Sequence, residues 1–87
     1  MAWQILFTKE ALKDSQKIDR AGLKNKAKNL ISILGNNPYQ NPPPYEKLVG
    51  EFKGAYSRRI NLQHRMVYQV FSKIKTVKVI KMWTHYE

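Results

Sequence analysis

The 87-residue sequence contains no cysteine, which excludes a disulfide scaffold, a thiolate zinc site and a cysteine nucleophile. Histidine is nearly as scarce. His64 and His85 are the only two, and nothing places another metal ligand beside either, so neither a metal site nor a cofactor is expected. No apolar run approaches the roughly 20 residues of a membrane span. The opening Met1 to Phe7 is too short and too weakly flanked for a signal peptide, so a cytoplasmic protein with no membrane partner is expected. Acidic residues number only six against sixteen Lys and Arg, a formal charge of +10. Such a field draws a protein towards a polyanion, with nucleic acid the leading candidate. Anionic membrane and an acidic protein partner are not separated from it by charge alone. At 43% hydrophobic and 11% aromatic, the chain should fold, and its length suits one domain over residues 1–87.

Hydrophobic periodicity then organises the chain. Trp3, Ile5 and Phe7 alternate with Gln4 and Leu6, as in a strand with one apolar face. Thr8 can cap a helix, and Glu10 in its first turn suits the helix dipole. Ala11, Leu12, Ser15 and Ile18 share a face, and Asp19 reads as a second cap. Leu23, Ala27, Leu30, Ile31 and Leu34 recur at helical spacing before Gly35 and Pro38 supply a stop. Two helices are expected, about Lys9 to Ile18 and Arg20 to Leu34, forming a hairpin. Asn36 to Pro44, rich in Pro and Asn, reads as a semi-rigid loop. Beyond it Ala55 to Asn61, Arg65 to Phe71 and Thr76 to Tyr86 are rich in Val, Ile, Tyr and Phe, with short links that favour antiparallel hairpins. The fold class is therefore α+β: an N-terminal strand and a helical hairpin packed on a mainly antiparallel sheet. One sheet face is left for solvent or substrate.

Several residues could carry chemistry. Lys9, Lys13 and Lys17, and again Lys24 and Lys28, form stripes along the helices. A stripe of this kind is commonly a solvated face, but the shortage of acids favours a polyanion footprint. Arg58 and Arg59 are neighbours in a strand and must point to opposite faces, so at least one should snorkel at an edge or pair with an acid. Together with Arg65 they are candidates for binding phosphate. Cleaving RNA without a metal needs a base for the 2′-hydroxyl, an acid for the leaving 5′-oxygen and a fixed cation for the phosphorane. Glu46 after the proline-rich loop, Arg65 opening a strand, and His85 with Tyr86 near the C-terminus are of the right types. Composition permits that site without showing it.

The runs Tyr45-Glu46-Lys47-Leu48, Gly54-Ala55-Tyr56-Ser57-Arg58-Arg59-Ile60 and His64-Arg65-Met66-Val67-Tyr68, with the closing His85-Tyr86, resemble the YoeB/Txe toxins of bacterial toxin–antitoxin modules, within the RelE superfamily. Each run alone is weak, and the combination is specific. The resemblance implies a microbial-ribonuclease-like (RelE-type) fold and a ribosome-dependent mRNA endonuclease acting in the ribosomal A site. It also implies neutralisation by a YefM/Axe-type antitoxin, and a homodimer. Residue by residue it makes Glu46 the general base, His85 the general acid and Arg65 the cation on the scissile phosphate. Tyr86 and Arg59 become RNA contacts, with Lys47 as the basic neighbour of the loop acid. The sequence departs from the family pattern at Val49, where a lysine is common, at Trp83 and Thr84, and at Glu87, an extra residue after the terminal tyrosine.

The rival readings are a ParE-like toxin that binds gyrase and a non-enzymatic RNA- or ribosome-binding module. Neither requires Glu46, Arg65 and His85 together. A DNA-binding antitoxin is disfavoured by the want of a helix-turn-helix pattern, and a purely structural domain leaves the charge unexplained.

Overall fold

The computed structural model describes residues 2–50 and 53–82. Strand β1 spans Gln4–Phe7, helix α1 Lys9–Arg20, helix α2 Lys24–Asn36, and strands β2 to β5 span Glu46–Lys47, Ala55–Arg59, Arg65–Phe71 and Thr76–Lys81. They form one five-stranded sheet in the order β1-β5-β4-β3-β2. The β1–β5 pair is parallel and the other three are antiparallel, matching the mainly antiparallel sheet expected.

Helix α1 starts where expected. The Thr8 hydroxyl accepts from the Ala11 N–H at 3.0 Å and donates to the Ile80 carbonyl at 2.7 Å, so one side chain caps the helix and ties it to β5. Glu10 in the first turn and Lys17 and Arg20 in the last complement the helix dipole. The expected second cap at Asp19 is corrected: α1 runs on through Asp19 to Arg20. The break falls at Gly22, whose φ of +76° is a left-handed conformation that favours glycine. Helix α2 begins at Lys24 behind Leu23, without a side-chain cap. It continues past Leu34 through Gly35, whose carbonyl accepts from the Trp3 N–H at 3.0 Å.

The buried side of α1 is also rotated from expectation. Ala11, Asp14 and Ile18 are buried, while Leu12 is 54% exposed and the Ser15 hydroxyl folds back onto the Leu12 carbonyl. Asp14 earns its place by accepting the Met82 backbone N–H at 3.1 Å. In α2 the expected stripe holds: Ala27, Leu30 and Leu34 are buried, with Leu23 and Ile31 packed around them. These residues meet Met66, Tyr68, Val77 and Val79 of the sheet in one core.

Cross-strand partners share a face and strand neighbours alternate. The face carrying Tyr56, Met66 and Tyr68 meets the helices. Glu46, paired with Ser57, and Arg59, paired with Arg65, therefore belong to the face turned away from them. Strand β3 ends at Arg59 instead of Asn61, because the Asn61 side-chain carbonyl accepts the N–H groups of Gln63 and His64 and turns the chain into β4. Strand β5 ends at Lys81; Trp83 to Tyr86, the remainder of the expected last strand, lie outside the described residues.

Candidate active site on the open face of the sheet

Strand β2 is only two residues long, yet its register fixes Glu46 opposite Ser57. The next step along β3 on that face is Arg59, which lies opposite Arg65 at the start of β4. Residues from three strands are thus brought together by register alone. An Arg65 Nη donates to Glu46 Oε2 at 3.0 Å and to Ser57 Oγ at 3.3 Å. The Arg65 side chain is 16% exposed and that of Glu46 66% exposed. The cation is therefore held against the sheet while the carboxylate stands at the mouth. Pro43, Pro44, Glu46, Ser57, Arg59 and Arg65 line a small cleft of about 110 Å³.

The placement of Arg59 beside Arg65 is unfavourable in itself, since like charges directly opposite each other on adjacent strands repel. With Glu46 as the carboxylate of the cleft, two guanidiniums and one acid leave one positive charge in excess. An oxyanion entering there meets planar donor forks able to bind it through two oxygens. Glu46 supplies an acceptor for a proton at the same place.

Of the six residues singled out from sequence, Glu46, Arg65 and Arg59 come together. Lys47 does not join them: it is exposed and, as the strand neighbour of Glu46, lies on the opposite face, in register with Tyr56. His85 and Tyr86 lie outside the described residues. Sequence reasoning passed over Ser57, which braces Arg65 from below; its alternation with Arg59 along β3 was the available signal.

Arg58 and Arg59 face opposite ways, as strand geometry requires. Arg59 is exposed at the cleft, while Arg58 is buried at 1% exposure. Arg58 does not reach solvent, and among the described residues it pairs with no acid. Its guanidinium donates to the Tyr68 hydroxyl at 2.9 Å, to the Pro38 carbonyl at 3.0 Å and to the Pro43 carbonyl, and it sits 4.9 Å over the ring of Tyr45. Tyr68 stacks on Tyr56, which meets Tyr39 and Tyr45 edge-on. Burial pushes the Tyr68 phenol above its ordinary value, partly opposed by the Arg58 charge. Burial raises Tyr56 as well, with Tyr39 and Tyr45 adding to it.

A YoeB/ParE toxin from Agrobacterium tumefaciens superposes with a TM-score of 0.84 at 29% identity, over 95% of this chain and 99% of its own. The YoeB–YefM complex from Staphylococcus aureus gives 0.80 at 28% identity, over 99% and 100%. A YoeB dimer from the same species gives 0.81 at 27%, again over 99% and 100%. The fold is thus the α+β arrangement of the RelE-like toxins of toxin–antitoxin systems. No curated protein matches the sequence. The model of the YoeB-like toxins of bacterial type II toxin–antitoxin systems matches residues 7–86, and the chain belongs to that family. The family identified from the sequence motifs is the family found.

Proposed function

We propose that this toxin is an endoribonuclease that cuts mRNA in the ribosomal A site. The observation that carries this reading is the Glu46–Arg65 contact at 3.0 Å in a cleft that Arg59 also lines. A base and a phosphate-binding cation are adjacent without any rearrangement of the sheet.

The chemistry follows from that adjacency. A phosphodiester entering the cleft competes with Glu46 for Arg65 and leaves the carboxylate free to take a proton. Glu46 removes the proton of the 2′-hydroxyl, and the 2′-oxygen attacks phosphorus. Arg65, assisted by Arg59, stabilises the charge gathered on the phosphorane oxygens. The bond to the 5′-oxygen breaks as His85 gives it a proton, leaving a 2′,3′-cyclic phosphate and a free 5′-hydroxyl. Tyr86 holds the RNA, while Lys47, on the opposite face, is left out of the cleft. The ribosome supplies orientation by presenting one phosphodiester to the cleft in a fixed pose. The reading carries with it a cytoplasmic location, a YefM/Axe-type antitoxin and a homodimer. The S. aureus YoeB–YefM complex and YoeB dimer support the two protein partners.

Primer extension on a defined mRNA in a purified translation system tests the proposal. The wild type should cut only with ribosomes present, and Glu46→Ala, Arg65→Ala and His85→Ala should each lower the rate by about 10²–10⁴-fold, the range for a lost acid, base or charge stabiliser. If all three folded variants still cut, the assignment fails. If the wild type arrests growth without cutting, gyrase inhibition becomes the reading to pursue.

A further inference from the structure

All four prolines of the chain lie between Pro38 and Pro44. A proline has no N–H, so at these positions the backbone offers only carbonyl acceptors and cannot be laced to the sheet by ordinary ladder bonds. Such a segment has to be held by a donor reaching it from elsewhere, and a guanidinium, with five N–H groups and no acceptor, is the side chain best equipped for that. Arg58 does this. From β3 it reaches the carbonyls of Pro38 and Pro43, and its third partner, the Tyr68 hydroxyl, itself lies 3.4 Å from the Pro38 carbonyl. The ring of Tyr45, next in sequence to Glu46, covers the guanidinium face.

Burying a cation is costly unless its hydrogen bonds are met, and among the described residues no carboxylate is paired with this one. A packed hydrocarbon would fill the space without that cost but could not grip carbonyls. What the guanidinium adds is geometry. Pro43 and Pro44 form one wall of the cleft, and Glu46 follows two residues after Pro44. Beyond the loop, the edge strand that carries Glu46 has only two paired residues and the Leu48 N–H bond to the Ala55 carbonyl at 2.9 Å. So short a strand cannot fix a carboxylate unaided.

We propose that Arg58 is a positioning residue: by gripping the Pro38 and Pro43 carbonyls it locks the proline-rich loop and so holds Glu46 at contact distance from Arg65. Ser57, Arg58 and Arg59 then divide the work of three consecutive positions. The first and third face the cleft, and the middle one anchors the wall behind it. Lysine cannot replace Arg58, because one ammonium cannot serve three acceptors disposed around a planar fork.

The test is Arg58→Lys, in the full chain, read by amide hydrogen exchange and by mRNA cleavage on ribosomes. Its consequence for turnover rests on the cleavage reading above, whereas the exchange measurement does not. The Leu48 amide should exchange at least tenfold faster, while the Val77 and Val79 amides in the sheet centre keep their protection. Turnover should fall at least tenfold with KM within about twofold of wild type, since binding charge is retained and only the pose of the base is lost. Equal acceleration at Leu48 and Val79 would mean a merely structural role and overturn the proposal. So would unchanged exchange, or a raised KM with kcat intact. Should Arg58→Lys not fold, Tyr68→Phe removes one of the three acceptors and must show the same local loosening to a smaller degree. A wild type that does not cut RNA would refute the cleavage reading, while the exchange pattern would still decide whether Arg58 holds the loop.

Discussion

Tyr68 and Tyr56 show how a side chain's surroundings become a pH dependence. Both phenols are raised above the ordinary 10.0, chiefly by burial. A raised native value means that the folded state keeps its proton after the unfolded chain has lost it. The stabilisation from a neutral phenol is thus complete below about pH 10 and is lost as pH rises through the native value. The whole chain's charge also bears on stability at high pH, so the informative quantity is a difference between proteins. Urea unfolding of the wild type and Tyr56→Phe between about pH 9 and pH 11 should show the wild type losing stability relative to the variant as pH rises. A gap that widens in favour of the wild type would contradict the direction of the shift.

At the scale of elements, side-chain hydrogen bonds tie α1 to β5 and the residue after it: the Thr8 hydroxyl donates to the Ile80 carbonyl, and Asp14 accepts the Met82 N–H. The second is buried, and removing its acceptor leaves an N–H without water or partner. Asp14→Ala should destabilise the protein by about 1–3 kcal/mol in urea denaturation, the cost of stranding a buried donor. Asp14→Asn, which keeps an acceptor, should cost less. Asp14 also marks where the sequence was misread. Its position on the apolar face gave no sign that a carboxylate would be wanted there, because the donor it satisfies lies 68 residues away. The strand and helix order was legible, since period and turn residues are local properties. The α1–α2 boundary was not, because Asp19 resembles a cap and only the backbone at Gly22 reveals the break. The meeting of Glu46, Arg59 and Arg65 came from motif resemblance; nothing in spacing alone joins three separate strands. The sequence placed Arg58 in a strand, opposite in facing to Arg59, but not its grip on the loop, because two of its three acceptors are main-chain carbonyls.

For the whole molecule the dominant property is the +10 charge. Each phosphate neutralised on binding a single strand releases counterion and adds about 0.7 to the slope of log affinity against log salt. Binding of the toxin to a non-cleavable, 2′-O-methylated mRNA on ribosomes should weaken steeply with added salt. Arg59→Gln should lower that slope by about one contact, and a salt-independent affinity would leave the charge without its assigned role. Glu46, the exposed member of its pair with Arg65, stands where solvent screens the pair, so exchanging it for a phosphate costs the fold little.

The parallel pairing of β1 with β5 has a consequence for how the protein is made. The first strand of the chain finds its partner in the last described one, and Thr8 reaches across 72 residues to Ile80. Until β5 has been synthesised, β1 has no neighbour, β4 lacks one of its two, and the apolar faces of both helices have half a sheet to cover. Contacts of such long sequence separation form late and are slow to close. During synthesis the sheet stays open at β1 and β4 until β5 is available to pair with both. The strand made first is thus among the last to be paired.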